Sequence, residues 1–322
     1  MKEYKPSFLF QNAHINTCFP TLFRKVKIRY RRQRVLVGKD DFLDFDWVRR
    51  GNSKIILLCH GLEGSSKSHY MKAFARYFSE RSWDVLALNY RSCSKEPNPS
   101  PFFYVAGKGD EISTALELTS EYQEVVLIGF SLGANKVLDY LGKEEKIPKN
   151  VKMGVAVSPP CDLKESSLLF SKGWNRIYEQ YFLWRLKRKV LKKEKIYPNL
   201  LRGMGISIEK IQKAKTLVEF DHLLTSKLAG CKDAYDYYEK NSSLFHLKKI
   251  HHPTLILTAL DDPMMSGRCY PREEVKNNAF LHLETPKYGG HISYASFTKE
   301  YWLEKFVFEK VELFKEEKKE VT

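Results

Sequence analysis

The stretch Val125-Val-Leu-Ile-Gly-Phe-Ser-Leu-Gly-Ala-Asn-Lys-Val-Leu138 decides how this 322-residue chain is read. Val125 to Ile128 is a short apolar run, rich in β-branched residues, that suits a fully buried strand. Gly129-Phe-Ser-Leu-Gly133 follows, and then Ala134, Val137 and Leu138 recur at helical spacing. A strand, a turn with Gly on both sides of Ser131, and a helix leave the serine hydroxyl exposed at a helix N-terminus. Free N–H groups and the helix dipole favour developing negative charge there. The glycines are needed because so tight a turn has no room for side chains two residues either side of the serine. Ser131 is therefore a candidate nucleophile. It calls for a base, an acid that orients the base, and two N–H donors for an oxyanion.

Outward from that stretch the chain alternates between strand and helix patterns. Residues 33–37 and 41–48 read as an antiparallel hairpin around Gly38-Lys-Asp40, and 54–60, 84–90 and 151–158 as further strands. Helical spacing covers 68–80 and 109–122, while residues 1–33 read as irregular and basic. The rhythm breaks between Cys161 and Leu247, which is helical in pattern and holds the aromatic cluster Trp174, Tyr178, Tyr181, Phe182 and Trp184. It resumes with strands at 254–259 and 279–284 and a last helix over about 296–318. We expect an α/β fold with a mostly parallel central sheet and helices on both faces. Residues 1–160 and 246–322 would form its core, and residues 161–245 a helical cap inserted over the site.

Lys and Arg number 54 against 39 Asp and Glu, a net charge of +15. The excess is spread over the whole chain and no nucleic-acid motif accompanies it, so nucleic acid is not an expected partner. Six cysteines form no C-x-x-C pair, and several sit inside apolar runs, which fits free thiols in a reducing compartment. The N-terminus shows no signal-peptide pattern and no apolar run reaches the length of a membrane span, so a cytoplasmic location is expected. One run stands apart. Seven basic residues lie between Arg185 and Lys195, directly after the aromatic cluster. That pattern fits weak contact with an anionic membrane surface, but a solvated face above aromatics that line the pocket or pack on the core is preferred, because the apolar positions keep no clean amphipathic stripe.

The strand–G-x-S-x-G–helix unit resembles the nucleophile elbow of α/β-hydrolases, in which the acid and then the histidine follow the serine along the chain. The acid position falls just past the strand at 254–259, at Leu260-Asp-Asp-Pro-Met264, where Asp262 before proline is preferred over Asp261. His291, behind two glycines in Tyr288-Gly-Gly-His291, supplies the base. All three positions lie at strand C-terminal ends, where α/β folds build their sites. Leu132 offers one backbone N–H to an oxyanion, and Leu62 in His60-Gly-Leu-Glu-Gly64 the other. His60, His69, His251 and His252 show no metal-ligand spacing and read as structural or surface residues, so no metal is expected.

Several motifs together resemble the YheT-like group of α/β-hydrolases, the AB hydrolase 4 family. They are His60-Gly-Leu-Glu-Gly-Ser65, Asn89-Tyr-Arg-Ser-Cys-Ser94, Gly129-Phe-Ser-Leu-Gly133, Glu219-Phe-Asp221, Asp236-Tyr-Tyr238, Leu260-Asp-Asp-Pro-Met264 and Gly289-Gly-His291. The resemblance runs nearly the whole length. It includes Asn12-Ala-His-Ile-Asn-Thr17, which departs from the family's usual NPHLQT at Ala13, Ile15 and Asn16, while Ser92 stands where glycine is usual. None of these departures falls on the triad. The resemblance implies a carboxylic-ester hydrolase with Ser131, Asp262 and His291 as charge-relay residues, a small-molecule ester substrate, and no metal or organic cofactor. A catalytically silent binding module, or a thioesterase or peptidase with the same constellation, is the alternative.

Overall fold

The computed structural model describes residues 3–319, so the outermost ends of the expected core, residues 1–2 and 320–322, lie outside the described residues. Eight strands form one sheet in the order β1-β2-β4-β3-β5-β6-β7-β8. They are β1 (Arg31–Val37), β2 (Asp41–Val48), β3 (Lys54–Cys59), β4 (Asp84–Asn89), β5 (Glu124–Phe130), β6 (Val151–Val157), β7 (Thr254–Leu257) and β8 (Leu281–Glu284). β2 runs antiparallel to both β1 and β4, and every other pairing is parallel. Parallel strands covered on both faces should be apolar on both, and they are. Along β3, Ile55, Leu57 and Cys59 enter one core while Ile56 and Leu58 enter the other; along β5, Val125 and Leu127 part from Val126, Ile128 and Phe130 in the same way.

The covering helices are α2 (His69–Ser79), α3 (Asp110–Glu117), α4 (Leu132–Lys143) and a terminal helix Trp302–Lys319, while α1 (Ala13–Phe23) packs against the loop after β8. Three expectations need correction. Residues 1–33 are not irregular throughout, because α1 lies among them, with Asn12 accepting from the N–H groups of His14 and Ile15 as its N-cap. The helix expected over 109–122 ends at Glu117, and turns at Thr119 and Tyr122 carry the chain into β5. The last helix begins at Trp302 rather than near Ser296, because Glu304 Oε2 reaches back to accept from the Tyr301 N–H and caps it there.

The basic run that closes the N-terminal segment has partners on β2. Arg32 faces Asp46 and Arg34 faces Asp44 in the antiparallel register, each in a bidentate ion pair at 2.8–2.9 Å. Between β6 and β7 the described residues are helical: α5 (Leu163–Phe170), α6 (Asn175–Ile196), and short helices at Ile208–Lys213, Leu217–Phe220 and Ala234–Asn241, with a π-helical turn at Asp221–Thr225. This segment has its own apolar core, joined by Phe103, Val105 and Ala106 from the long loop after β4.

Candidate active site

Ser131 sits between β5 and α4 with φ +51° and ψ −122°, a conformation costly for a residue other than glycine and held only because its surroundings fix it. Its N–H donates to the Val157 carbonyl at 2.9 Å, tying the turn to the end of β6. Leu132 is the first residue of α4, so its N–H belongs to the first helical turn, whose N–H groups have no partner inside the helix. The loop after β3 presses on the same turn. A Cβ built on Gly61 would lie 3.1 Å from Ser131 Cβ and 3.2 Å from the Phe130 carbonyl oxygen, so a side chain there would press the Ser131 turn by a few tenths of an ångström.

The acid and the histidine meet across the ends of β7 and β8. His291 Nδ1 lies 2.9 Å from Asp262 Oδ2 and 3.2 Å from Oδ1, with both residues buried. Asp262 Oδ1 also accepts from the Met264 N–H at 2.9 Å. The Ile292 N–H donates to Ser158 Oγ at the end of β6, one residue past the Val157 that holds Ser131. Ser131 and the His291 loop therefore flank the end of the same strand. Asp261 turns away from the imidazole and accepts from the Gly290 N–H at 2.9 Å.

Leu62, Ser131 and Leu132 line one cavity of about 120 Å³, whose walls are largely apolar and come mostly from the helical segment: Leu163, Phe182, Leu217, Phe220 and Leu224 among them. Met264 and Met265, just past Asp262, close another side. Among the described residues no group of three or more His, Cys, Asp or Glu side chains is placed to hold a metal ion. His60 is fully buried, with Nδ1 at 2.8 Å from the Gly61 carbonyl and Nε2 accepting from the Tyr90 N–H at 3.2 Å. Those contacts fix its tautomer, and burial holds its pKa down to about 3, so it braces the loop as a neutral side chain.

The alpha/beta hydrolase fold family model matches residues 54–284. YheT of Escherichia coli (strain K12) is 32% identical over 314 residues, covering 94% of this chain and 91% of that protein. The chain is a YheT-like α/β-hydrolase. This α/β-hydrolase is also 26% identical over 301 residues to the phospholipase ABHD3 of Bos taurus, covering 85% of this chain and 69% of that one. Its fold matches the Pyrococcus furiosus esterase Pf2001 with a TM-score of 0.57 at 15% identity, covering 89% of this chain and 91% of that one. Such hydrolases place their chemistry at strand C-terminal ends, and the residues just described lie there.

Two features of the candidate site go beyond the roles that the motifs assign. The first is α1, which braces the His291 loop. Thr17 Oγ1 accepts from the His291 N–H at 3.0 Å, the Ser293 hydroxyl donates to the Thr17 carbonyl, and Asn16 Oδ1 accepts from the Ala295 N–H at 2.9 Å. Asn16 is one of the departures from the family pattern, so that departure does touch the support of the histidine. The second is the unrelieved charge of Asp261. Its Oδ2 is buried without a partner, and burial, with the neighbouring Asp262 adding to it, pushes its pKa up to about 6. A carboxyl with a raised folded-state pKa stabilises the fold below its ordinary value of 3.8, and that contribution is lost as pH rises through about 6. Asp261→Asn keeps the acceptor for Gly290 and removes the charge. It is expected to raise Tm by about 1–3 °C at pH 8 and to leave it unchanged at pH 3. Calorimetry at the two pH values checks this, and a gain of equal size at both would refute the charge explanation.

Proposed function

We propose that the protein hydrolyses carboxylic esters of hydrophobic acyl chains through an acyl-enzyme. The observations that support this reading are the buried Asp262–His291 pair, whose loop is tied to the end of β6, and a strained Ser131 tied to the same strand end at an apolar cavity. Ser131 attacks the ester carbonyl, His291 takes its proton, and ionised Asp262 holds the imidazole with Nδ1 protonated. The N–H groups of Leu62 and Leu132 receive the oxyanion, each worth roughly 3–4 kcal/mol in the transition state. His291 returns the proton to the leaving alcohol, then activates the water that releases the acid. Side chains and water suffice for this cycle, so it needs no cofactor. Residues 161–245 act as the cap, and the substrate is a small ester rather than nucleic acid. A fluorophosphonate probe tests the nucleophile: wild-type protein should label and Ser131→Ala should not. A folded wild-type protein that does not label would favour the silent binding module. Rates on matched ester, thioester and amide substrates separate the enzyme classes.

A weak contact with anionic lipid is a second part of this reading, and it draws on α6. The aromatic cluster is divided: Phe182 lines the cavity and Tyr178 meets His14, while Trp174, Tyr181 and Trp184 are exposed together with Ile177. Most of the basic run turns inward. Arg185, Lys187, Lys189 and Lys193 each donate to a backbone carbonyl or pair with Glu63. Arg188, Lys192 and Lys195 are exposed, Lys192 donating to the Lys95 carbonyl from there, and the two acids of α6, Glu179 and Glu194, are respectively buried and paired with Arg202. Binding to phosphatidylserine vesicles should exceed binding to phosphatidylcholine vesicles at low salt and weaken as salt rises. Equal binding to both, or none, would exclude the contact.

A further inference from the structure

Helix α6 crosses the site and is fastened on both sides of it. Near its N-terminus, Asn175 Nδ2 donates to the Pro263 carbonyl, directly after Asp262, at 2.7 Å. Fourteen residues later, about 21 Å along a helix, it reaches the loop that carries Leu62. There Lys189 Nζ lies 2.6 Å from Glu63 Oε1 and 3.1 Å from Cys93 Sγ, and Arg185 donates to the Glu63 carbonyl at 2.8 Å.

Glu63 follows Leu62 and occupies a costly state. It is 5% exposed and has φ +54°, a left-handed conformation that disfavours residues other than glycine. A buried carboxylate is tolerated only when paired and hydrogen-bonded. Its N–H donates to the Tyr104 hydroxyl at 2.8 Å, and that hydroxyl sits 3.0 Å from Oε1. The cationic partners come from α6. The backbone conformation at Glu63, and with it that of Leu62 just before it, therefore depends on α6 being seated.

We propose that Glu63 and Lys189 are positioning residues: their ion pair, with Arg185, locks the Leu62 N–H into the oxyanion hole, so that the hole is complete only when α6 is docked. This rests on the reading of Leu62 as an oxyanion donor. Binding of the acyl chain along α6 and assembly of the hole are then one event, and the protein favours substrates long enough to hold α6 in place.

The test uses the full-length protein, p-nitrophenyl butyrate, and two inhibitors of equal length: an alkyl trifluoromethyl ketone, whose adduct with Ser131 bears an oxyanion, and the corresponding alcohol, which forms none. Lys189→Met is expected to lower kcat about 10–100-fold, approaching the cost of a lost oxyanion donor. KM should change less than about threefold. The trifluoromethyl ketone should weaken by the same factor as kcat, and the alcohol should bind within about twofold of wild type. Lys189→Arg should recover most of the loss. Glu63→Gln combined with Lys189→Met should be no worse than the worse single variant, because both remove one interaction. Should Lys189→Met fail to fold, Glu63→Gln carries the same expectation. Equal weakening of ketone and alcohol would make Lys189 an acyl-pocket wall and overturn the proposal. So would a kcat within twofold of wild type in both single variants. Absence of labelling and turnover in the wild type would instead refute the esterase reading itself.

Discussion

Asp262→Asn should lower kcat on p-nitrophenyl butyrate by about 10⁴-fold, whereas Asp261→Asn should lower it less than about tenfold. The difference follows from which oxygen serves which donor. Asp262 Oδ1 accepts from the Met264 N–H at 2.9 Å, and Oδ2 lies 2.9 Å from His291 Nδ1. An asparagine must keep its carbonyl oxygen toward Met264, since an amide NH₂ there would face another donor. Its NH₂ then occupies the Oδ2 position and donates to Nδ1. That fixes the proton on Nε2, where the imidazole can no longer take one from Ser131. KM should stay near the wild-type value, because neither carboxylate lines the apolar cavity. At Asp261 the amide oxygen still accepts from Gly290, so the His291 loop keeps its place. Measuring both variants on one ester decides the matter, and the reverse ranking would assign the orienting role to Asp261.

The two aspartates also show how far the sequence could be read. Both follow the same strand end, and the proline after Asp262 only makes that one the preferred candidate, because strand-end register depends on where pairing stops. β7 stops at Leu257, and the turn beyond it decides which carboxylate faces the imidazole. The central strands were legible because β3 and β5 bury both faces and so read as continuous apolar runs. The strand–turn–helix around Ser131 was legible because Gly-x-Ser-x-Gly sits between such a strand and a helical pattern.

α1 was hidden for the opposite reason. Its buried residues are Asn16, Thr17 and Pro20, so the face it turns inward is polar and leaves no hydrophobic stripe. Those polar groups are committed to the His291 loop, nearly the whole length of the chain away. The basic run of α6 illustrates the same limit. Sequence shows seven basic residues within eleven positions, but the groups that receive five of them, four at backbone carbonyls and Lys189 at the Glu63 carboxylate, come from distant loops and the insertion itself. Lys193, for example, donates to Ser100 and Phe102, and burial lowers its pKa to about 7.

The glycines on either side of Ser131 lead to the second large effect. Gly133→Ala should destabilise the fold by about 3–5 kcal/mol and lower Tm by roughly 10 °C, at the upper end of what overpacking costs. Gly133 has no positive φ, so backbone freedom is not the reason. A Cβ there would penetrate the carbonyl oxygens of Cys59 and His60, at the end of β3. Those atoms belong to the central strand and to the start of the loop after β3, and no rotamer change can clear them. α4 must move away from the sheet, pulling Ala134 and Val137 out of a fully buried cluster and shifting the first-turn N–H groups beside Ser131. Gly129 meets the same obstacle from the other side, since its Cβ would enter the Gly133 carbonyl. Both glycines therefore exist for close approach of β3, β5 and α4, and labelling of Ser131 should fall along with stability. Gly203→Ala is the control. Nothing lies within 4 Å of its Cβ and its φ is not positive, so it should stay within about 0.5 kcal/mol of wild type. Thermal melts of the two variants give the comparison, and a Gly133→Ala protein melting within about 2 °C of wild type would show that helix and strand are less tightly apposed than this geometry requires.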